Sequence, residues 1–127
     1  MTKDELIQYV AARYSTEAEY PWADENFIFR HAANRKWFAV AMCVPCRRLG
    51  IEREGAVDIV DVKTGPLLMG AYRAQPGILP GYHMNKAHWL TILLDGSADD
   101  ALVKELLEIS YDLTNDRRRA AQERKQP

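Results

Sequence analysis

Residues 36–63 read KWFAVAMCVPCRRLGIEREGAVDIVDVK, and the way its two apolar ends are joined decides the fold. KWFAVAMCV (36–44) and AVDIVDVK (56–63) have the β-branched and aromatic composition of strands. Between them Pro45 signals a turn, and the stretch to Gly55 is polar and charged, with Arg47, Arg48, Glu52 and Arg53, so it reads as a long hairpin loop. In the second run Val57, Ile59, Asp61 and Lys63 share one parity, and Asp58, Val60 and Val62 take the other. Upstream, FIFRHA (27–32) alternates, and Ala33-Asn34-Arg35 reads as a tight connection, which predicts a first hairpin over about 27–44.

Working outward, Leu6, Ile7, Val10, Ala11 and Tyr14 recur at helical spacing behind Thr2, with Asp4 and Glu5 where the helix dipole favours acids, so a helix is expected over 3–14. EYPWADEN (19–26) breaks that pattern. After the third strand, Thr64-Gly65-Pro66 reads as a helix start capped by Thr64, with Leu67, Leu68, Ala71 and Tyr72 as its apolar face and its end by Pro76-Gly77. Pro80-Gly81 signals a turn, AHWLTILL (87–94) a strand, and Asp95-Gly96 its end. Ser97 and Asp100 resemble a capping box opening a last helix whose face is Leu102, Val103, Leu106, Leu107, Ser110 and Leu113. The basic tail 117–127, RRRAAQERKQP, loses the apolar stripe and reads as frayed. The order predicts a single α+β domain over 1–116, an antiparallel sheet with helices on one face.

At 127 residues and 47% hydrophobic, the chain is long enough to bury one core. No apolar run reaches membrane-spanning length, and residues 1–14 lack the apolar centre of a signal peptide, so a cytoplasmic protein with no membrane partner is expected. Charge is unevenly placed. Residues 1–25 hold two bases against six acids and residues 95–112 one base against six acids, whereas 26–94 hold nine bases against four acids. That pattern predicts acidic terminal helices side by side on one sheet face and a basic sheet face looking outward.

Cys43 and Cys46 form C-x-x-C, but Cys43 ends a strand rather than opening a helix, and a zinc site would need further ligands drawn from His31, His83 and His88. The expected fates are one partly buried thiol and one in a turn, with no metal and no cofactor.

PGYHMNKAHW (80–89) concentrates two histidines, a lysine, an asparagine and two aromatics. His83 and His88 could titrate near neutrality, yet no nucleophile or paired carboxylate accompanies them and their spacing fits no familiar zinc pattern, so no catalytic residue is assigned and the chain is not expected to be an enzyme. Structural fates compete for each residue: Asn85 in a turn, Trp89 in the core, His88 on a backbone carbonyl, Tyr82 against the last helix. Lys86, Asn85 and His83 are left as donors on one loop, with Lys63 and Arg73 flanking the preceding helix, an arrangement suited to an anion such as a phosphate.

YPW at 20–22, KWFAV at 36–40, VK at 62–63, ILPGYHMNKAHWLTILLDG at 78–96 and LLEISYDLT at 106–114 resemble the MmcQ/YjbR family, with G-Y-H-x-N-K-x-H-W as the most specific element. The resemblance spans about Tyr20 to Thr114 and implies a CyaY-like (frataxin-like), double-wing fold and a DNA-binding role. Lys63-Thr64-Gly65-Pro66 departs from the family's usual lysine, cysteine, acid, proline, and the loop Pro45–Gly55 is longer and more charged.

Together these readings assign DNA or anion contacts to Arg35, Lys36, Arg47, Arg48, Arg53, Lys63, Arg73, His83, Asn85 and Lys86, with weak, nonspecific binding of the phosphate backbone. The alternative is a protein-interaction or small anionic ligand module centred on Tyr82–Lys86. A third, iron binding, follows from fold resemblance alone and would need Asp99, Asp100, Glu105, Glu108 and Asp112 to form an acidic ridge.

Overall fold

Thr2 opens the first helix, α1 (Lys3–Tyr14), through a reciprocal capping box: its hydroxyl accepts from the Glu5 amide and the Glu5 carboxylate accepts from its own amide, each at 3.1 Å. The chain then forms β1 (Phe27–Arg30), β2 (Trp37–Pro45), a 3₁₀ turn at Cys46–Leu49, β3 (Ala56–Lys63), α2 (Pro66–Arg73), β4 (Ile78–Pro80), β5 (Trp89–Leu93) and α3 (Asp100–Thr114). The computed structural model describes residues 1–115, and the tail at 117–127 lies outside the described residues.

All pairings are antiparallel and the strand order is β1-β2-β3-β5-β4. Alternation sends Phe27, Phe29, Ala39, Ala41, Val60, Val62, Leu90 and Ile92 to one face, where they meet Leu6 and Val10 of α1, Met69 of α2, and Val103, Leu106 and Leu107 of α3. All three helices therefore cover the same face, as the sequence predicts. Arg13 of α1 reaches Glu108 of α3 at 3.1 Å, and Tyr14 stacks on Tyr111 at 4.4 Å, which joins the two terminal helices.

One irregularity reorganises the sheet. Phe29 faces Ala39 but Arg30 faces Trp37, so Phe38 is an extra residue in β2. The bulge turns the Phe38 ring to the helix side, against Phe29, Tyr14, His31 and Tyr111, with centroids 5.0–6.0 Å away. Trp37 and Val40 are thereby placed together on the opposite face. The Ser110 hydroxyl of α3 stabilises this break by donating to the Phe38 carbonyl at 2.5 Å and accepting from the Lys63 amide at 2.9 Å, so the ladder groups freed by the bulge stay paired.

Several local expectations are corrected. The cap of α2 is Gly65, because Thr64 is buried with its amide committed to the His88 carbonyl at 2.8 Å. Met69 and Tyr72 carry α2's packing, while Leu67 is 97% exposed and Leu68 is also open, since a helix this short presents only one or two positions to the sheet. The last helix starts at Asp100 behind Asp99, and Ser97 bonds Asp95 within the preceding turn instead of capping. Pro80 belongs to a three-residue edge strand, β4, too short to show a period in the sequence.

Replacing Ser110 with Ala leaves the Phe38 carbonyl and the Lys63 amide without their partner in a buried site. The expected loss is about 2 kcal/mol, read as a lower urea midpoint with an unchanged denaturant slope.

Candidate functional site

The sheet face away from the helices is not basic. Its central rows present Ile28, Val40, Asp61 and Thr91, then Met42, Ile59 and Leu93, most of them buried. Loops roof these residues: Cys46, Leu49 and Ile51 from the 45–55 connection, and Tyr82 from the 81–88 connection, pack into a second, smaller core with Val44, Val57, Ile59 and Leu93. The expected basic sheet face is thus overturned, because loops seal this surface with apolar contacts and leave room for cations only at its ends. Tyr82 lies here and not against the last helix.

The loop GYHMNKAH (81–88) is therefore a strap across the outer face. Gly81 starts it with its amide on the Trp89 carbonyl at 3.1 Å, so close that a Cβ at Gly81 would stand 2.8 Å from that oxygen. Asn85 forms a turn, its side-chain oxygen accepting from the Ala87 amide at 2.9 Å, and Lys86 Nζ donates to the Gly81 carbonyl at 3.0 Å. His83 adopts a left-handed backbone, φ 59°, which points it over the sheet beside Tyr82. His88 serves through its backbone carbonyl, which accepts from Thr64 and Gly65.

Beneath the strap lies Asp61, fully buried. Its Oδ1 accepts from the Thr91 hydroxyl at 2.5 Å, and that hydroxyl in turn accepts from the Tyr82 amide at 2.8 Å. Asp61 Oδ2 has no hydrogen-bond partner among the described residues. Burial pushes the carboxyl up to about 7, opposed by the Thr91 hydroxyl, the Tyr82 amide and the charge of Lys86. The sequence offered one sign of it, an acid sharing the parity of buried Val57 and Ile59.

Beside the strap a groove of about 450 Å3 runs over β2, floored by Val40 and Met42 and walled by Trp22 and Trp37 on one side and His83 and Met84 on the other. Trp22 and Trp37 meet edge to face at 5.8 Å and are 46% and 36% exposed. Asp24 also lines it, its carboxylate accepting from the Asn26 amide at 2.8 Å. Trp22, Trp37, Met84, Asp61 and Thr91 are site residues that the sequence reading did not single out.

The predicted cations divide. Arg35 and Lys36 in the β1–β2 turn, Lys63 at the end of β3, and Lys86 with Asn85 in the strap lie at one end of the sheet. Arg47, Arg48 and Arg53 lie at the other, beyond Pro45, about 25 Å away along β2. Arg53 is paired with Asp95 at 3.5 Å, and Arg73 sits on the helix side in the last turn of α2. At the first end Arg30 faces Trp37 across β1 and β2, and Lys63 faces Trp89 in the β3–β5 row, two pairings of a cation with an indole, although Arg30 is held by Glu19 through two bonds of 2.6 and 2.7 Å. Trp89 is half-buried in this row and does not enter the core.

Both cysteines are free, Cys46 wholly buried, and burial together with Asp58 pushes the Cys43 thiol up, the opposite of an activated thiolate. His31 is buried against Thr114 Oγ1 at 2.8 Å. Among the described residues no three His, Cys, Asp or Glu side chains gather as a metal site, and no helix is long and apolar enough to cross a membrane.

The YjbR family model matches residues 11–113. The chain is 34% identical to the protein YyaQ of Bacillus subtilis over 90% of its length and 98% of that protein's, and 32% identical to YjbR of Escherichia coli over 87% and 85%. Among solved structures, a Pseudomonas syringae protein superposes with a TM-score of 0.87 at 39% identity, covering 91% of this chain and all of that one. A Deinococcus radiodurans protein does so with a TM-score of 0.65 at 28% identity, covering 88% and 77%.

Two measurements check this site. Because Asp61 is protonated more readily folded than unfolded, stability is greatest below about pH 4 as far as this group is concerned, and falls as the pH rises towards 7, by up to about 4 kcal/mol. Asp61→Asn should flatten that part of the stability–pH profile and raise the melting temperature at pH 8, and an unchanged profile would refute the assignment. Gly81→Ala should cost about 1–3 kcal/mol by forcing the strap off Trp89, measurable by thermal melting.

Proposed function

Because this chain belongs to the YjbR family, with relatives matched over almost their whole length, we propose that it is a non-enzymatic cytoplasmic DNA-binding protein holding the phosphate backbone weakly and without base preference. The observation that carries the reading is the end of the sheet where Trp37 opens β2 and Lys63 faces Trp89, with Arg35, Lys36 and Lys86 on the loops at that end. Cations interleaved with indoles supply attraction to phosphate and a surface for sugars and bases. Asp4 and Glu5 of α1 and Asp100, Glu105, Glu108 and Asp112 of α3 belong to helices packed on the reverse face, so the repulsion of these six acids falls away from this end. In a double-wing arrangement the loops 45–55 and 81–88 would be the two wings, with Arg47, Arg48 and Arg53 reaching only a ligand long enough to span the sheet.

A second reading, a small anionic ligand or protein-interaction module on Tyr82–Lys86, is favoured by the groove between His83, Met84 and Trp37. The two separate in one titration. DNA binding predicts log K falling by ~0.9 per neutralised phosphate of a duplex as salt rises. Lys36→Ala with Lys63→Ala should weaken binding by about tenfold or more and lower the salt slope by about two, whereas Arg47→Ala with Arg48→Ala should matter only for DNA long enough to reach that loop. Absence of binding to both duplex and single-stranded DNA at low salt would refute the DNA reading.

A further inference from the structure

We propose that the nucleic acid is taken as a single strand, with bases stacked on Trp37 and Trp22 and phosphates held at the Lys36 and Lys63 end; this rests on the DNA reading above. The outside of a duplex offers phosphates and sugars and hides its base faces, whereas a single strand exposes them. The groove fits the second. Its floor is apolar, Val40 and Met42, and its wall consists of two indoles exposed by a third to a half and set edge to face. A protein reading a duplex major groove usually inserts a helix or a ribbon, and all three helices here are packed on the far face of the sheet.

Charge sets the direction of the strand. Lys36 precedes Trp37 in the chain, and Lys63 lies on the neighbouring strand at the same end, since the Ser110 hydroxyl bonds both the Phe38 carbonyl and the Lys63 amide. The Trp22 side is instead acidic, with Asp24 lining the groove and Glu25 following it. Phosphates are attracted to the Trp37 end and repelled from the Trp22 end. The backbone therefore tracks along the cationic end while bases turn inward over the groove, uncharged parts against the acidic rim.

The test compares a fluorescein-labelled oligothymidylate with a duplex of equal length by anisotropy at low salt, using the full chain. The single strand is expected to bind at least about tenfold more tightly. Trp37→Ala and Trp22→Ala should each weaken it roughly 5- to 150-fold, a larger loss than either causes in duplex binding, with Trp37→Phe retaining most of the single-strand binding. Should a variant fail to fold, quenching of indole fluorescence in the unsubstituted protein gives the same information: the oligothymidylate quenches more strongly than the duplex at saturation. Equal or tighter duplex binding, indole-independent binding of the oligothymidylate, or its failure to quench would overturn the single-strand proposal alone. Failure of both nucleic acids to bind would overturn the DNA reading with it.

Discussion

The bond from the Ser110 hydroxyl to the Phe38 carbonyl fixes which side of the sheet each aromatic side chain occupies. An extra residue in an antiparallel strand reverses the parity on either side of it. Here the reversal sends Phe38 into the helix-facing core and leaves Trp37 in line with Val40 and Met42 on the other side. Without it, a strand with the pattern WFAVAM would have to bury Trp37 or expose Phe38. The same hydroxyl accepts from the Lys63 amide, so one helical serine ties α3 to two strands where the candidate site begins.

On the outer face the organising contact is the chain from the Tyr82 amide through the Thr91 hydroxyl to Asp61. It fastens the strap at the cost of burying a carboxyl whose second oxygen lacks a partner. Neighbouring strand positions are apolar, so a small aliphatic residue would be the cheaper choice for stability alone. Holding the loop over β2 creates the groove, and the strained backbone of His83 follows from the same crossing. The dense polar run of PGYHMNKAHW is accordingly spent in large part on shaping the loop: Asn85 turns it, Lys86 and Gly81 close it, and His88 anchors its end.

Electrostatics follow the topology. A hairpin delivers the residues of its turn and of its loop to opposite ends of the sheet, so cations close together in the chain become about 25 Å apart. The basic middle segment thus forms two separate groups and an isolated Arg73, and only the group around Trp37 and Lys63 coincides with exposed aromatic surface.

Periodicity and composition by themselves determined the α+β class, the α1 boundaries, the β2–β3 hairpin and most of α3's buried face, because burial on a helix or a strand imposes a local repeat that the residues display. The family motif was likewise visible as a string. Tertiary structure alone decided that Phe38 is a bulge, that β4 is a strand, that Leu67 is exposed while Met69 is buried, and that the second sheet face is roofed by loops. Each of these depends on partners distant in the chain: Ser110 lies 72 residues from Phe38, and Thr91 lies 30 from Asp61. A local pattern registers that a side chain prefers burial, but which face buries it, and which cations share an end, is set by strand register and loop crossing.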